Sequence, residues 1–232
     1  MRVVSNIFEV KAARLIRCLL VNVGRGWTVR EIAAEAGTSV GYAHAVLSTL
    51  RDMKYVGRDE NNKLLLINAD LLLKRWAAFY QYTYVNTFLQ YYTLEKEIDS
   101  FLRRSAEKLK GEEYALTSLS AAWLISPYVR PVDVHFYVRT RQEGERIAEL
   151  IDAKPTDGTG NVKIVLPYDN GVFYGVRSLE DIKVVSNVQL FVDLWSYTSR
   201  GEDAAKRIYE IIEKDWISAG LTGDSYVRQG PN

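Results

Sequence analysis

With 232 residues, 47% of them hydrophobic, the chain can bury a sizeable core as one large domain or two smaller ones. Thirty Lys and Arg face 29 Asp and Glu, but the balance is uneven: residues 1–80 hold twelve basic against seven acidic side chains, and the remainder 18 against 22. A basic first domain and an acidic second one is the asymmetry expected when only one of them meets phosphate, and the single cysteine, Cys18, excludes an internal disulfide and a multi-cysteine metal site.

The first predicted helix covers residues 8–21. Val10, Ala13, Leu15, Ile16, Leu19 and Leu20 form a broad apolar face, with Cys18 as core packing and the arginines turned to water or phosphate. Its most apolar run, residues 15–23, is broken by Arg17 and is too short to span a bilayer, and nothing resembles a cleavable signal. A soluble protein of the cytoplasm, with no membrane partner, is the expectation.

Residues 28–67 then read as helix, tight turn, helix and hairpin, the order of a winged helix-turn-helix. Thr28 with Glu31 three residues on is a capping box before Val29, Ile32, Ala33 and Ala36. Gly37 supplies the left-handed stop, and Thr38 and Ser39 cap a second helix running to about Met53. Ala33 is small where the two helices approach, and Val40, Ala43, Val46, Leu47, Leu50 and Met53 form the buried stripe.

Ser39, Gly41, Tyr42, His44, Ala45 and Ser48 are left facing outward, with Arg51 one turn further along towards flanking phosphates. Ser39, Tyr42, His44 and Ser48 can donate or accept at base edges, while Gly41 and Ala45 let the backbone sit deep or touch a thymine methyl. The hairpin runs from Tyr55 to Arg58, turns through Asp59, Glu60, Asn61 and Asn62, and returns from Lys63 to Ile67; Arg58 and Lys63 flank its tip as wing contacts. With Thr28 and Arg30 at the first helix of the pair and Asn61 and Asn62 at the wing tip, these residues make up the expected DNA-binding set. Winged helices also serve as protein-interaction modules, and that adaptor reading is the alternative which the basic charge argues against.

A helix capped by Asn68 or Asp70, with Leu71, Leu72, Leu73, Trp76, Ala77 and Phe79, carries the chain out of the first domain near residue 80. Trp76, Phe79, Tyr80, Tyr82, Tyr84, Phe88, Tyr91 and Tyr92 crowd into seventeen residues without interleaved basic charge, which favours interdomain packing or a subunit interface over base stacking. Thereafter helices (residues 94–110, 118–125, 142–153, 187–196 and 202–216) alternate with strands (114–117, 132–138, 162–166, 172–176 and 182–185). The fold class is α+β: a winged helix followed by a mixed α/β domain over residues 81–217, then a flexible glycine-bearing tail from residue 218.

The winged helix, followed by Tyr114-Ala-Leu-Thr-Ser-Leu-Ser-Ala-Ala122, the strand at 132–138, Val184-Val-Ser-Asn-Val-Gln-Leu-Phe-Val-Asp-Leu194 and Ser199-Arg-Gly-Glu-Asp-Ala-Ala205, resembles the AbiEi-type antitoxin family of transcriptional regulators over nearly the whole chain. The resemblance implies a repressor that binds inverted repeats in its own promoter on double-stranded DNA and opposes a nucleotidyltransferase-type toxin; solo regulators share the architecture. The second domain is expected to position the winged helix, to pair it with a copy of itself as a homodimer, or to receive a signal. The resemblance also implies that this domain is similar in fold to nucleotidyltransferases. Such enzymes need a Gly-Ser turn and two carboxylates at alternate strand positions to hold two metal ions. Here Thr117-Ser-Leu-Ser120 lacks the glycine, and Asp133-Val-His135 puts an imidazole where the second carboxylate belongs, which marks a degenerate relic rather than an enzyme acting through Asp133.

Cys18, His44 and His135 share no metal-ligand spacing, so no cofactor or metal is expected. Residues 156–160, Thr-Asp-Gly-Thr-Gly, lack the Gly-Lys-Ser of a phosphate loop and read as a hairpin-like connection. Gln189 and Asp193, four apart on one helix face, read as a hydrogen-bonded anchoring pair that Arg200 joins.

Overall fold

The computed structural model describes residues 6–221, with the side chains of residues 198 and 199 left aside. The chain divides into two compact units, one of residues 6–79 together with 210–221, the other of residues 80–209.

The first unit contains α1 (Val10–Val21), α2 (Val29–Glu35), α3 (Val40–Asp52), a hairpin of β1 (Val56–Arg58) and β2 (Leu64–Leu66), and α4 (Ala69–Phe79). The capping box starts α2: Thr28 Oγ1 accepts from the Glu31 N–H at 3.2 Å, and Glu31 Oε2 accepts from the Thr28 N–H at 2.7 Å. Gly37 ends that helix at φ +61°, and Ser39 Oγ caps α3 by accepting from the Tyr42 N–H at 3.2 Å. Ala33 is buried at the α2–α3 approach beside Ile32 and Ala43. Trp27 adds a third edge to the wing by exchanging backbone bonds with Leu64 at 2.7 and 2.8 Å.

Four expectations for this unit are corrected. The first helix begins at Val10, which is exposed rather than part of the apolar face. Arg17 does not face water: it is fully buried, its guanidinium 4.9 Å from the centre of the Trp76 ring, a π face that α4 brings over α1. Residues 210–217, assigned from sequence to the second domain, belong here. Ile212 and Trp216 are buried, and the Trp216 indole N–H donates to the Leu20 carbonyl at 3.1 Å. The expected flexible tail starts too early at residue 218: the helix includes Ser218 and Leu221 is buried, while residues 222–232 lie outside the described ones. This segment brings Glu210, Glu213 and Asp215 against one lysine, Lys214, so the unit's positive excess is narrower than its first 80 residues imply.

The second unit runs α5 (Tyr82–Val85), β3 (Thr87–Tyr92), α6 (Ile98–Lys108), β4 (Ala115–Thr117), α7 (Ser118–Ile125), β5 (Val134–Tyr137), α8 (Arg141–Leu150), β6 (Lys154–Pro155), β7 (Val162–Leu166), β8 (Arg177–Leu179), β9 (Ile182–Val184), α9 (Asn187–Trp195) and the first half of α10 (Thr198–Ser218). One mixed seven-stranded sheet has the order β6-β3-β7-β5-β4-β9-β8. β5 runs parallel to β7 with His135 opposite Lys163, and antiparallel to β4 with His135 opposite Thr117. These pairings collect the polar residues of three strands at one place.

Several sequence expectations change here. The aromatic run does not form an interface patch as a whole: Trp76 is core of the first unit, Tyr80 and Tyr82 are buried in the second, and Phe88 to Tyr92 belong to a strand the periodicity had hidden. Residues 94–97 precede the helix rather than start it. The strand expected at 172–176 is a 3-10 turn over Asn170–Phe173, capped by Asp169 Oδ1 accepting from the Gly171 N–H at 2.8 Å. Residues 156–161 are not a hairpin, because β6 and β7 both pair with β3 and the connection must cross it. Gly160 passes against the Tyr91 carbonyl at a distance that leaves no room for a Cβ.

Candidate nucleic-acid interface

The exposed face of α3 is narrower and less polar than its sequence implies. Ser39 is exposed, but its hydroxyl is already engaged as the helix cap. Tyr42 is half-buried and its phenol donates to a carboxylate oxygen of Glu9; burial first, and then that carboxylate, push its pKa well above the ordinary value. Ser48 is not outward at all: it is 7% exposed, with the Arg51 guanidinium 3.4 Å from its hydroxyl. Ala45 is half-buried, and its carbonyl accepts from Thr49 Oγ1 at 3.1 Å.

In the first turns of α3 the residues that stay exposed are Val40, Gly41 and His44, with Arg51 further along. Apart from its chain neighbours and the adjacent helix backbone, nothing lies within 4 Å of where a Cβ on Gly41 would stand. Val40 and Met53, read as ends of the buried stripe, are exposed at 47% and 42%. They occupy the first helical position and the C-terminal cap, where the neighbouring helices no longer reach.

The wing is ordered by its own side chains. Asp59 Oδ1 accepts from the Asn61 and Lys63 backbone N–H groups at 2.9 and 2.8 Å, and Asn62 takes the left-handed conformation, φ +61°, that closes the turn. Arg58 donates from Nη1 to the Asn62 carbonyl at 2.6 Å and to its Oδ1 at 2.9 Å, which fixes the guanidinium at the tip. Thr28 and Arg30 are exposed on and before α2. Sequence reasoning missed Arg25. Its guanidinium lies 3.7 Å over the ring of Trp27, the residue that bridges to Leu64 of β2. The Glu31 carboxyl is held below its ordinary pKa first by the hydrogen bonds of Thr28 and then by the positive charges of Lys63 and Arg25. The arginine two residues before the tryptophan was the available signal.

The second unit contains the other polar constellation. Asp133 Oδ2 lies 2.5 Å from Lys163 Nζ, its Oδ1 is 3.1 Å from His135 Nε2, and the Tyr197 hydroxyl donates to it at 3.1 Å. A carboxylate only accepts, so Nε2 carries the imidazole proton and Nδ1 accepts from the Tyr82 hydroxyl at 2.8 Å. Burial opposes ionisation of Asp133, yet its hydrogen-bonded partners hold the carboxyl far below the usual range. Burial likewise pushes His135 below its ordinary value, against the pull of Asp133, so the lasting positive charge on this carboxylate is Lys163.

One strand over, Asp193 accepts from Thr117 Oγ1 at 2.5 Å, from the Gln189 amide at 2.7 Å and from the Tyr137 hydroxyl at 3.1 Å. The Gln189–Asp193 pair therefore exists, but Arg200 is exposed and the expected third place is taken by Thr117 and Tyr137. Ser118 sits at φ +57°, fully buried, its hydroxyl without a hydrogen-bond partner. Among the described residues no group of three or more His, Cys, Asp or Glu is placed to hold a metal ion, and no helix is long and apolar enough to cross a membrane.

The family described as transcriptional regulator, AbiEi antitoxin, type IV toxin–antitoxin system matches residues 65–213, and the IclR helix-turn-helix domain matches residues 10–60. No curated protein and no solved structure matches the chain. The first match covers more than half of the sequence, from the wing's return strand into α10. The chain belongs to the AbiEi antitoxin family of transcriptional regulators of type IV toxin–antitoxin systems.

Proposed function

We propose that the protein is a sequence-specific regulator that docks α3 in the major groove of duplex DNA, with the β1–β2 wing on the adjacent backbone, and that it represses its own promoter. The observation that carries this reading is the open face of Gly41 and His44 on α3, beside a wing whose arginine is pre-positioned by Asn62. Thr28, Arg30, Ser39, Tyr42, Ala45, Arg51, Asn61 and Lys63 complete the proposed contact set, with Ser39 and Tyr42 reaching bases only by giving up their present hydrogen bonds; Ser48, buried under Arg51, drops out of it. Arg25 joins it as a phosphate contact. Binding as a homodimer on inverted repeats follows from the same reading, since each half-site would take one winged helix.

We read the second unit as a nucleotidyltransferase-like fold that has lost its chemistry, set against a nucleotidyltransferase-type toxin in function. Two features support it: a turn that keeps a glycine-like conformation at Ser118, and a lysine ammonium on the carboxylate that a metal ion would need.

The test is binding of the full chain to a labelled duplex of its own upstream region and to a scrambled duplex, across about 50 to about 300 mM salt. A preference of roughly a thousandfold or more is the expected result. Absence of binding at low salt overturns the reading in favour of a protein-binding winged helix.

A further inference from the structure

The polar residues expected to read bases are mostly committed within the protein. Ser39 caps α3, Tyr42 donates to Glu9, and Ser48 is buried under Arg51. What α3 offers to a groove is therefore different in kind. Val40 and His44 stand one turn apart on the same side, both exposed, and Gly41 and Ala45 run beside them with nothing over Gly41. Nearly half of the Val40 surface, 47%, is open to water on a helix whose neighbouring apolar residues Ala43, Val46 and Leu47 are buried.

A β-branched side chain left nearly half open at the first position of α3 is only partly used in packing, and Ser39 already supplies the cap. In the major groove, the one apolar feature that distinguishes a base pair is the thymine 5-methyl group.

Resting on the reading of α3 as the recognition helix, we propose that Val40 is a specificity-determining residue that reads a thymine methyl in the operator. The Val40 methyl groups close over the 5-methyl, and the missing side chain at Gly41 lets the helix backbone come near enough for that contact. Val40 thus selects A·T against G·C at one position of each half-site, with His44 left as the hydrogen-bonding residue of the same face.

The experiment starts with selection of binding sequences from a random duplex pool by the full chain. Each thymine of the selected duplex is then replaced singly by deoxyuridine, which removes only the 5-methyl group. Wild-type protein is expected to lose about fourfold in affinity at one thymine per half-site, the loss that uncovering one methyl-sized group carries. Val40→Ala is expected to bind the thymine and deoxyuridine duplexes equally, at the affinity of wild type for the deoxyuridine form. Val40→Ala removes an exposed side chain and leaves a strong helix former, so it keeps the fold. If the deoxyuridine loss persists unchanged in Val40→Ala, or if a sharp consensus emerges with no methyl-sensitive thymine, the inference is overturned while the recognition-helix reading stands. If no duplex is enriched at all, the recognition-helix reading falls and takes this inference with it.

Discussion

Lys163 and Asp133 meet at 2.5 Å across the parallel β5–β7 pair, both largely removed from solvent. A buried charge left without its partner costs far more than the pair itself contributes. Lys163→Met is therefore expected to destabilise the protein by about 3–5 kcal/mol, and Lys163→Met with Asp133→Asn by markedly less. Urea unfolding of the two variants checks this. Equal losses would mean that the ion pair is not the feature that Lys163 supplies.

His135 gives the fold a pH dependence whose sign follows from its burial. Its native pKa lies below the ordinary 6.5, so as the pH falls through that value the unfolded chain takes up a proton that the native one refuses. Stability should fall between about pH 7 and pH 5, by up to about 1.4 kcal/mol per pH unit. Asp133 works in a separate window: its depressed pKa adds stability above the ordinary 3.8 and loses it only below that. Thermal melting across this range should show the slope in wild type and in His44→Gln. It should be absent in His135→Gln, which keeps a donor for Asp133 and an acceptor for Tyr82. A slope surviving in His135→Gln would place its origin elsewhere.

The winged helix was legible in sequence because each of its devices is local. Thr28 and Glu31 are three residues apart, Gly37 stands at the left-handed stop after α2, and Asp59 to Asn62 form a self-contained turn. The fate of individual side chains was not legible, because it depends on residues distant in the chain. Tyr42 meets Glu9, 33 positions earlier, and Trp216 meets Leu20, 196 positions earlier. β3 escaped notice since its sequence, Thr-Phe-Leu-Gln-Tyr-Tyr, lies in an aromatic run whose period is neither 2 nor 3.6. The Asp133–Val–His135 alternation was visible, but Lys163 and Tyr197 arrive from β7 and from the turn after α9, and only the fold brings them together.

The Trp216 contact has a consequence for the DNA-binding unit. Trp216 is buried and hydrogen-bonded to α1, and Gly24, at φ +84°, leaves no room for a Cβ, whose place lies 2.6 Å from the Ala219 carbonyl. Trp216→Ala is expected to cost about 3–5 kcal/mol of stability, the range for emptying a buried tryptophan site. Chain truncation after residue 209 should expose the same face of α1. Proteolysis with mass spectrometry should then find new cleavage in the winged helix of either variant; protection equal to wild type would show that residues 210–221 do not support it.

Arg58 and His44 should separate affinity from specificity. Arg58 is held at the wing tip by Asn62, so Arg58→Ala should weaken binding to all duplexes alike and lower the slope of log K against log salt by about one. His44 stands open on α3, so His44→Ala should spare binding to scrambled DNA and cost the selected sequence about 1–3 kcal/mol. Tyr42→Phe removes a hydroxyl already given to Glu9, and is expected to change selectivity less than His44→Ala does. Parallel salt titrations on selected and scrambled duplexes distinguish the three. A selectivity loss in Tyr42→Phe as large as that in His44→Ala would mean that the phenol leaves Glu9 for a base edge on DNA, and that the free and bound surfaces of α3 differ.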